Sequence, residues 1–547
     1  MLKTLRKNPI NKNDFSLTYK SFLKQWGKSE AYTEMFQNSL LQSISSDTTY
    51  IFGDYDLFIQ VIKIVCYISE YKKGIWVISD KHNEQIKQAT LEMDVDKINI
   101  LYGMCYLHAL STTFEKDMIV LCYECPWEII RDLSDAKMVV VSSVAHKLSD
   151  NFIGEKNDPI VEWIGSNEKN DTKYLEEMAK KAINLELINR KESQQLLLPH
   201  IIESNKLKYY QEKLGADTSL FSVRIKPIGK TDYILDSGRT MVREYHYKSR
   251  SYRLQKRFIS QNMLWDRQHH CKQKYFLFLA PSTELPDVEI ISKPITMEIL
   301  QLLVIKSPST VRKIMSKYYL PDFVDMSMKT LYYLEAIDSR GRLTLLGEKM
   351  QVFATDPQIA RMIVKHGNKC HSIFYLAAAL HIAGDLREWF LGDSCKHGKW
   401  IDVEGDHTSL LKLIIAFVNV KDTNKTSWCL QNGVNEKLLR NTCSLASQFA
   451  EEMDIILKPE NVSLEGVINA VMDGFFLQTI YKTDTGLHIV GYKKPLLKLN
   501  QIPKKFPAMS VCSCITIIKN EKLLVTSTPV TATKLYAIAP KYFIKKR

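Results

Sequence analysis

Hydrophobic and polar positions along the first half of the chain follow an α/β pattern. Short apolar runs alternate with helical periods such as Asp56–Tyr71. The runs richest in β-branched residues are Tyr50–Phe52, Gly74–Ile78, Met118–Cys122 and Met138–Ser142. Continuous apolar runs of this length, separated by amphipathic helices, are typical of buried parallel strands. The pattern therefore predicts one α/β lobe over residues 45–154 and a second over residues 155–285.

After residue 285 the spacing of apolar residues becomes helical. Amphipathic helices are predicted over Met297–Met315 and Met326–Glu335. A turn at Asp338–Gly341 and a short strand at Arg342–Gly347 are predicted next. Two helices followed by a β-wing form a winged helix, which we expect over residues 286–356.

The rest of the chain is predicted to hold a helical bundle and a small barrel. Helical periods cover Pro357–His366, Cys370–Ala383, His407–Val420 and Asn435–Met453. They predict a bundle over residues 357–472. β-rich runs cover Ile515–Ile518, Lys522–Thr526 and Lys534–Phe543. They predict an OB-like barrel over residues 473–547. Residues 1–44, rich in lysine, are predicted to form a basic helical extension.

Composition narrows the class of protein. The 547 residues carry a formal charge of +13, which favours an anionic partner such as nucleic acid or an acidic membrane surface. The apolar run Leu410–Val418 is interrupted by charge and falls short of the ~20 residues that cross a bilayer. We therefore expect a soluble protein with no membrane partner. Eleven scattered cysteines indicate a reducing intracellular compartment. A zinc site is set aside because Cys122 and Cys125 lie in a different predicted domain from Cys512 and Cys514.

Three segments that follow one another in order resemble the C-terminal module of DEAH-box RNA helicases. They are Arg340–Met350, Glu404–Leu411 and Val471–Phe476. The resemblance implies an RNA-contacting, ratchet-like bundle followed by an OB-like barrel. It also implies that the two α/β lobes are degenerate RecA-like parallel-sheet lobes, because their family motifs are mostly lost.

The loop after the first predicted strand lacks the features that bind a triphosphate. A P-loop needs glycines whose backbone N–H groups close on phosphate, a lysine, and a Ser or Thr hydroxyl for magnesium. Only Gly53 remains of this motif, and Asp54 and Asp56 add negative charge beside it. We therefore expect no phosphate to bind there.

The family's other catalytic motifs are also incomplete. Glu124 falls on the water-polarising glutamate, while Tyr123 replaces the magnesium-bridging aspartate. Ser143 lies in a segment similar to the Ser-Ala-Thr motif but without its threonine. Arg267 matches the first arginine of the arginine-finger motif, and the other two arginines are replaced. Gly53, Glu124, Ser143 and Arg267 are therefore interpreted as vestigial positions, with no catalytic residue and no metal site.

Basic residues are the candidates for nucleic-acid binding. From the resemblance and from charge they are Arg239, Arg267, Lys504, Lys505, Lys541 and Lys545. OB-like barrels bind single strands through a basic groove and exposed aromatic side chains. A solvated basic rim is the equal alternative for the lysines.

Two hypotheses of different class remain. In the first, the chain is an RNA-binding pseudoenzyme without a cofactor, a scaffold or regulatory subunit in pre-mRNA splicing or ribosome biogenesis. In the second, it is a strongly diverged RNA helicase that uses ATP and Mg²⁺. The absence before residue 150 of a glycine-rich turn followed by Lys and Ser or Thr favours the first. The resemblance implies RNA, the proteins of an RNA-processing particle and a G-patch-type protein as partners. It favours the nucleus over the cytoplasm.

Overall fold

Two parallel sheets form the first of the two units of the computed structural model. This unit comprises Met1–Val242 and Lys256–Val288, and the second comprises Arg243–Gln255 and Glu289–Arg547. The structure describes residues 48–52, 58–59, 61–62, 74–79, 100–104, 106–114, 116, 118–123, 125, 127–142, 152–153, 160–163, 196–197, 231–236, 238–259, 264, 267, 271–277, 293–391, 397–458, 464, 466–503, 506–518 and 522–543. The predicted extension over residues 1–44 lies outside this set.

The larger sheet of the first unit has six parallel strands. They are β1 Thr48–Phe52, β2 Gly74–Ser79, β3 Ile100–Met104, β4 Met118–Tyr123, β5 Lys137–Ser142 and β6 Phe152–Ile153. Their order is β3-β2-β4-β5-β1-β6, so β5 separates β1 from β4. Among the described residues, two short helices belong to the same unit, α1 Tyr106–Ala109 and α2 Trp127–Leu133. The four strands predicted from apolar runs are confirmed, and β4 and β5 are buried along most of their length, as parallel strands are.

The smaller sheet of this unit has four parallel strands. They are β7 Ile160–Trp163, β8 Leu196–Leu197, β9 Thr231–Asp236 and β12 Cys271–Leu277, in the order β7-β12-β9-β8. Ile234, Ile259, Leu264, Cys271, Tyr275 and Leu277 form its apolar core.

A winged helix begins the longer segment of the second unit, Glu289–Arg547. Its helices are α3 Thr296–Ile305, α4 Pro308–Tyr318, α5 Pro321–Tyr333 and α6 Leu345–Met350. The single helix predicted over Met297–Met315 is wrong. It is divided because Pro308 begins α4 and the Ser307 side chain caps that helix, accepting a hydrogen bond from the Thr310 N–H.

The wing is shorter than predicted. The strand expected over Arg342–Gly347 is reduced to one bridge between Ile337 and Leu343. The Thr344 side chain accepts a hydrogen bond from the Gly347 N–H at 3.1 Å, so the chain turns into α6 instead of extending the strand.

In the described part of residues 357–475, six helices form a bundle. They are α7 Pro357–His366, α8 Ser372–Ile382, α9 Asp406–Val418, α10 Lys425–Asn432, α11 Glu436–Glu451 and α12 Val467–Phe475. The four helices predicted from periodicity are confirmed within one or two residues at most ends. The segments between and after these helices contain short 3-10 turns, among them Leu386–Trp389, Gly398–Trp400 and Phe476–Gln478.

Most of a seven-stranded sheet belongs to the second unit, while residues 239–242 and 256–258 of its first two strands are counted in the first unit. Its strands are β10 Arg239–His246, β11 Ser251–Phe258, β13 Thr479–Thr483, β14 Gly486–Ile489, β15 Leu497–Lys498, β16 Met509–Ile518 and β17 Lys522–Pro529. The order is β10-β11-β16-β13-β14-β15, with β17 also on β16. The β-run predicted over Lys534–Phe543 is wrong, because this segment forms α13 Ala532–Ile538 and α14 Pro540–Phe543. Pro540 has no N–H for a strand ladder but suits the first position of a helix.

Candidate functional site

The carboxyl ends of three neighbouring strands meet at one edge of the six-stranded sheet. β1 and β5 end together, with Phe52 opposite Ser142. β4 ends at Tyr123, which lies opposite Val141, one residue before the end of β5. Ligands of open α/β sheets bind outside the carboxyl ends of the strands. This edge is therefore the candidate nucleotide site, and we call it the carboxyl edge.

Three of the predicted vestigial positions follow directly on these strand ends. Gly53 comes after β1, Glu124 after β4 and Ser143 after β5. All three lie outside the described residues. Because the strands are parallel, the residues that precede these three positions lie at the same edge of the sheet. The roles assigned to Gly53, Glu124 and Ser143 stay predictions.

A buried aromatic pair packs at the carboxyl edge. The rings of Tyr123 and Phe58 are stacked, with centroids 4.9 Å apart and an interplanar angle of 21°. Tyr123 is 6% exposed, and Phe58, Val61 and Ile62 are fully buried. Magnesium is held by carboxylate, phosphate and water oxygens. The end of β4 instead offers an aromatic ring in apolar packing.

Arg267 lies in a buried cluster of the smaller sheet. Its guanidinium donates to both carboxylate oxygens of Asp236 at 2.8 Å, and the Tyr275 hydroxyl donates to the same carboxylate. The Gly238 N–H also donates to Asp236, at 2.8 Å. Burial, followed by the charge of Asp236, raises the pKa of Tyr275 well above its usual range. With 9% of its surface exposed, Arg267 holds the end of β9 in a structural ion pair.

The other basic candidates are distributed over both units. Arg239 is half-buried at the start of β10, in the first unit. Lys541 of α14 is exposed, with its ammonium 3.4 Å from the Glu335 carboxylate. Lys504, Lys505 and Lys545 lie outside the described residues. Nucleic-acid binding by these side chains stays a prediction.

The hairpin formed by β10 and β11 is part of the second unit's sheet. Tyr252–Leu254 of β11 pairs in parallel with β16. Arg250 lies in the connecting turn with φ of 45° and is 6% exposed. Its guanidinium donates to the Leu477 carbonyl and the Tyr542 hydroxyl, both at 3.4 Å. The turn is thus anchored by a buried cation.

Asp473 is the centre of a buried ionic cluster in the second unit. Its carboxylate accepts from Arg361 at 2.9 Å, Lys365 at 2.8 Å and His366 at 3.0 Å. Arg361 also contacts Glu335 of the winged helix at 3.2 Å. Burial would raise the pKa of Asp473, but the hydrogen bond from His366 and the charges of Arg361 and Lys365 hold it far below its usual range. The cluster joins the winged helix to the bundle.

The segment Glu404–Leu411 attaches α9 to the last strand of the sheet. Asp406 accepts a hydrogen bond from the Ser527 N–H at 2.8 Å. Hydrogen bonds of 2.8 Å join the His407 ring to the Thr528 and Ser513 hydroxyls. Burial lowers the pKa of His407 to about 3, so the ring is neutral. These contacts give this segment a structural role in the second unit.

Sequence reasoning missed the two arginines that organise the second unit. Arg250 bonds a carbonyl 227 positions away, and Arg361 pairs with a carboxylate 112 positions away. Asp473 lies in Val471–Phe476, one of the segments that carry the family resemblance, but the resemblance gave it no role. One sequence carries no signal for pairings of this range.

Over the described residues, no three His, Cys, Asp or Glu side chains converge on a point that could hold a metal ion. Nor is any helix in that part of the chain long and apolar enough to cross a membrane.

Comparison with known proteins supports the family resemblance. Residues 327–354, which cover the end of α5, the wing and α6, match the helicase-associated domain HA2, a winged helix. This match, together with the two relatives below, confirms the resemblance to the DEAH-box RNA helicases. Over 359 residues the chain is 24% identical to the ATP-dependent RNA helicase DHX33 of Homo sapiens and 23% identical to that of Mus musculus. The alignment covers 60% of this chain and 49% of each relative, so it spans about half of their length.

Proposed function

We propose that the chain is a DEAH-box-helicase-related RNA-binding protein that does not hydrolyse ATP. The observation that carries this proposal is the buried stack of Phe58 and Tyr123 at the carboxyl edge. Phosphoryl transfer needs a magnesium ion fixed by a carboxylate and a lysine on the phosphates. At the end of β4 an aromatic ring stands in place of the magnesium-binding carboxylate. The segment after β1 has no lysine to bind the phosphates, and Asp54 and Asp56 repel phosphate.

The strand order supports an ancestry in RecA-like lobes. β5 lies between β1, which precedes the phosphate-loop position, and β4, which precedes the metal-site position. We interpret the two parallel sheets as degenerate RecA-like lobes over residues 45–154 and 155–285. The helices over 357–472 are then a ratchet-like bundle, and the strands within 473–547 form an OB-like barrel.

RNA is the proposed partner. The net charge of +13 favours a polyanion, and the two relatives are named as RNA helicases. Without a motor, the chain would serve as a scaffold or regulatory subunit in splicing or ribosome biogenesis, in the nucleus. Its protein partners would include components of that particle and a G-patch-type protein. No cofactor is required for this role.

A strongly diverged ATP-dependent RNA helicase is the second candidate. The names of the relatives favour it, and so does Gly27-Lys28-Ser29, which matches the last three positions of a phosphate-loop motif without the glycine-rich turn before them. Phe22 stands where that motif has its first glycine. The tripeptide also precedes β1, in a part of the chain outside the described residues.

An RNA titration with and without Mg-ATP tests the proposal. The full-length chain is titrated against single-stranded RNAs of different sequence over a salt series. We expect affinity to fall steeply with salt, with little sequence preference, because phosphate contacts dominate. Mg-ATP should change nothing. An affinity that is flat between low and physiological salt would refute RNA binding, and an ATP-dependent affinity would favour the helicase.

A further inference from the structure

One face of helix α4 is basic and carries no carboxylate. Its buried side chains are Val311, Ile314 and Met315. The exposed side chains of the same helix are Ser309, Thr310, Arg312, Lys313, Ser316 and Lys317. An ordinary solvated helix face mixes both signs of charge. The eleven residues of α4 contain three cations and no acid.

The next helix has the opposite character. α4 and α5 are joined by the two residues Tyr319 and Leu320, as in a helix-turn-helix, whose second helix enters a groove of the nucleic acid. The exposed side chains in the first turns of α5 include Asp322 and Asp325. Carboxylates at that end repel phosphate. The first turns of α5 are therefore less suited to phosphate than the face of α4, where the Asp325 carboxylate contacts only Arg312 among the described cations.

The wing extends the basic face of α4. Gly341 has φ of +81°, and a Cβ on it would lie 3.2 Å from the Cβ of Pro308, the first residue of α4. The two arginines that flank it, Arg340 and Arg342, are exposed. The wing therefore places its cations beside the start of α4.

Two of these cations have no acidic partner among the residues that the structure describes. Arg312 pairs with Asp325 and Arg342 with Asp338. Within the described residues, Lys313 and Arg340 have no carboxylate at ion-pair distance. Their charges are available to a ligand.

The side chains indicate the class of ligand. Protein interfaces centre on aromatic and apolar side chains, and the exposed face of α4 has none; the neighbouring exposed Leu320 lies in the turn after it. Arginine, lysine, serine and threonine are the residues that contact phosphate oxygens of nucleic acids. A phosphodiester backbone fits this face better than a protein does.

We propose that the α4–wing surface, formed by Arg312, Lys313, Lys317, Arg340 and Arg342, binds the phosphate backbone of RNA without reading its sequence. This inference rests on the proposed RNA binding and assigns part of it to the winged helix.

The test compares two double variants of the full-length chain. Lys313→Gln/Arg340→Gln removes the two unpaired cations. Lys329→Gln/Lys349→Gln removes two exposed cations from α5 and α6 of the same winged helix and is the control. Affinity for a single-stranded RNA is measured over a salt series. Each lost phosphate contact lowers the slope of log affinity against log salt by about 0.7. We expect a slope lower by about 1.4 and binding about tenfold weaker in the first variant, and neither change in the control.

Other outcomes are distinguishable. If wild type binds RNA and both variants match it, this inference is wrong while the proposed function stands. If wild type binds no RNA, both are wrong. A first variant that loses affinity for polyglutamate but keeps the wild-type RNA slope would refute the inference in favour of an acidic protein segment. Equal melting temperatures, expected because all four side chains are exposed, exclude misfolding as the cause.

Discussion

Replacing Asp473 by asparagine tests the buried cluster that joins the winged helix to the bundle. The substitution keeps the side-chain shape and removes the charge that faces Arg361 at 2.9 Å. Arg361 is 2% exposed, and the charged partner that it would keep among the described residues is Glu335, whose side chain is 45% exposed. It would also keep its hydrogen bonds to the Leu334 and Asp473 carbonyls. Leaving one member of a buried ion pair without its partner costs about 3–5 kcal/mol. At ~2–4 °C per kcal/mol for a domain of this size, the second unit should melt about 6–20 °C lower.

Scanning calorimetry of the full-length chain measures this shift. Glu436→Gln is the control, because it removes the partner of an exposed arginine, Arg440, and should leave the melting curve unchanged. An Asp473→Asn variant that melts within about 2 °C of wild type would refute the reasoning. The carboxylate would then contribute little to holding Arg361 in place.

Three further changes probe single contacts. As the pH falls below ~6.5, wild type should lose stability relative to His407→Gln. The loss in its free energy of unfolding should be up to about 1.4 kcal/mol per pH unit. The pKa of the folded imidazole is lowered to about 3, so the unfolded state takes up the proton first; urea titrations that show no such slope would contradict this. Gly405→Ala should lower the second unit's melting temperature, because φ is 128° and a Cβ would lie 2.8 Å from the β17 backbone, whereas Gly398→Ala, with open space around it, should not. Arg267→Ala should destabilise the first unit by about 3–5 kcal/mol, since Asp236 would stay buried without its cation; an unchanged melting temperature would count against the pair.

The regular elements could be predicted where burial dictates composition. β4 and β5 are buried parallel strands, so their apolar runs are continuous and visible in the sequence. The start of α7 follows from Asp356, which caps the helix, and from Pro357, the next residue. The break before α4 has the same kind of local signal, Ser307 before Pro308. The helical period of apolar residues continues across this break, which is why it predicts a single helix.

The β10–β11 hairpin, the Tyr123–Phe58 stack and the Arg267–Asp236 ion pair could not be predicted from local sequence. β11 joins the second unit by pairing with β16, more than 250 positions along the chain. The family resemblance predicts that Tyr123 replaces an acid, but the stack on Phe58 depends on how two separate segments fold together. Arg267 was matched to an arginine finger, whereas its buried partner Asp236 appears only once β9 and β12 are paired.

The most direct test of the central claim is RNA-stimulated ATP hydrolysis by the purified full-length chain, beside a calorimetric titration of ATP in magnesium. The aromatic carboxyl edge predicts no heat of binding and no turnover above background, with or without RNA. ATP turnover that rises with added RNA would contradict the account and identify the chain as a working helicase.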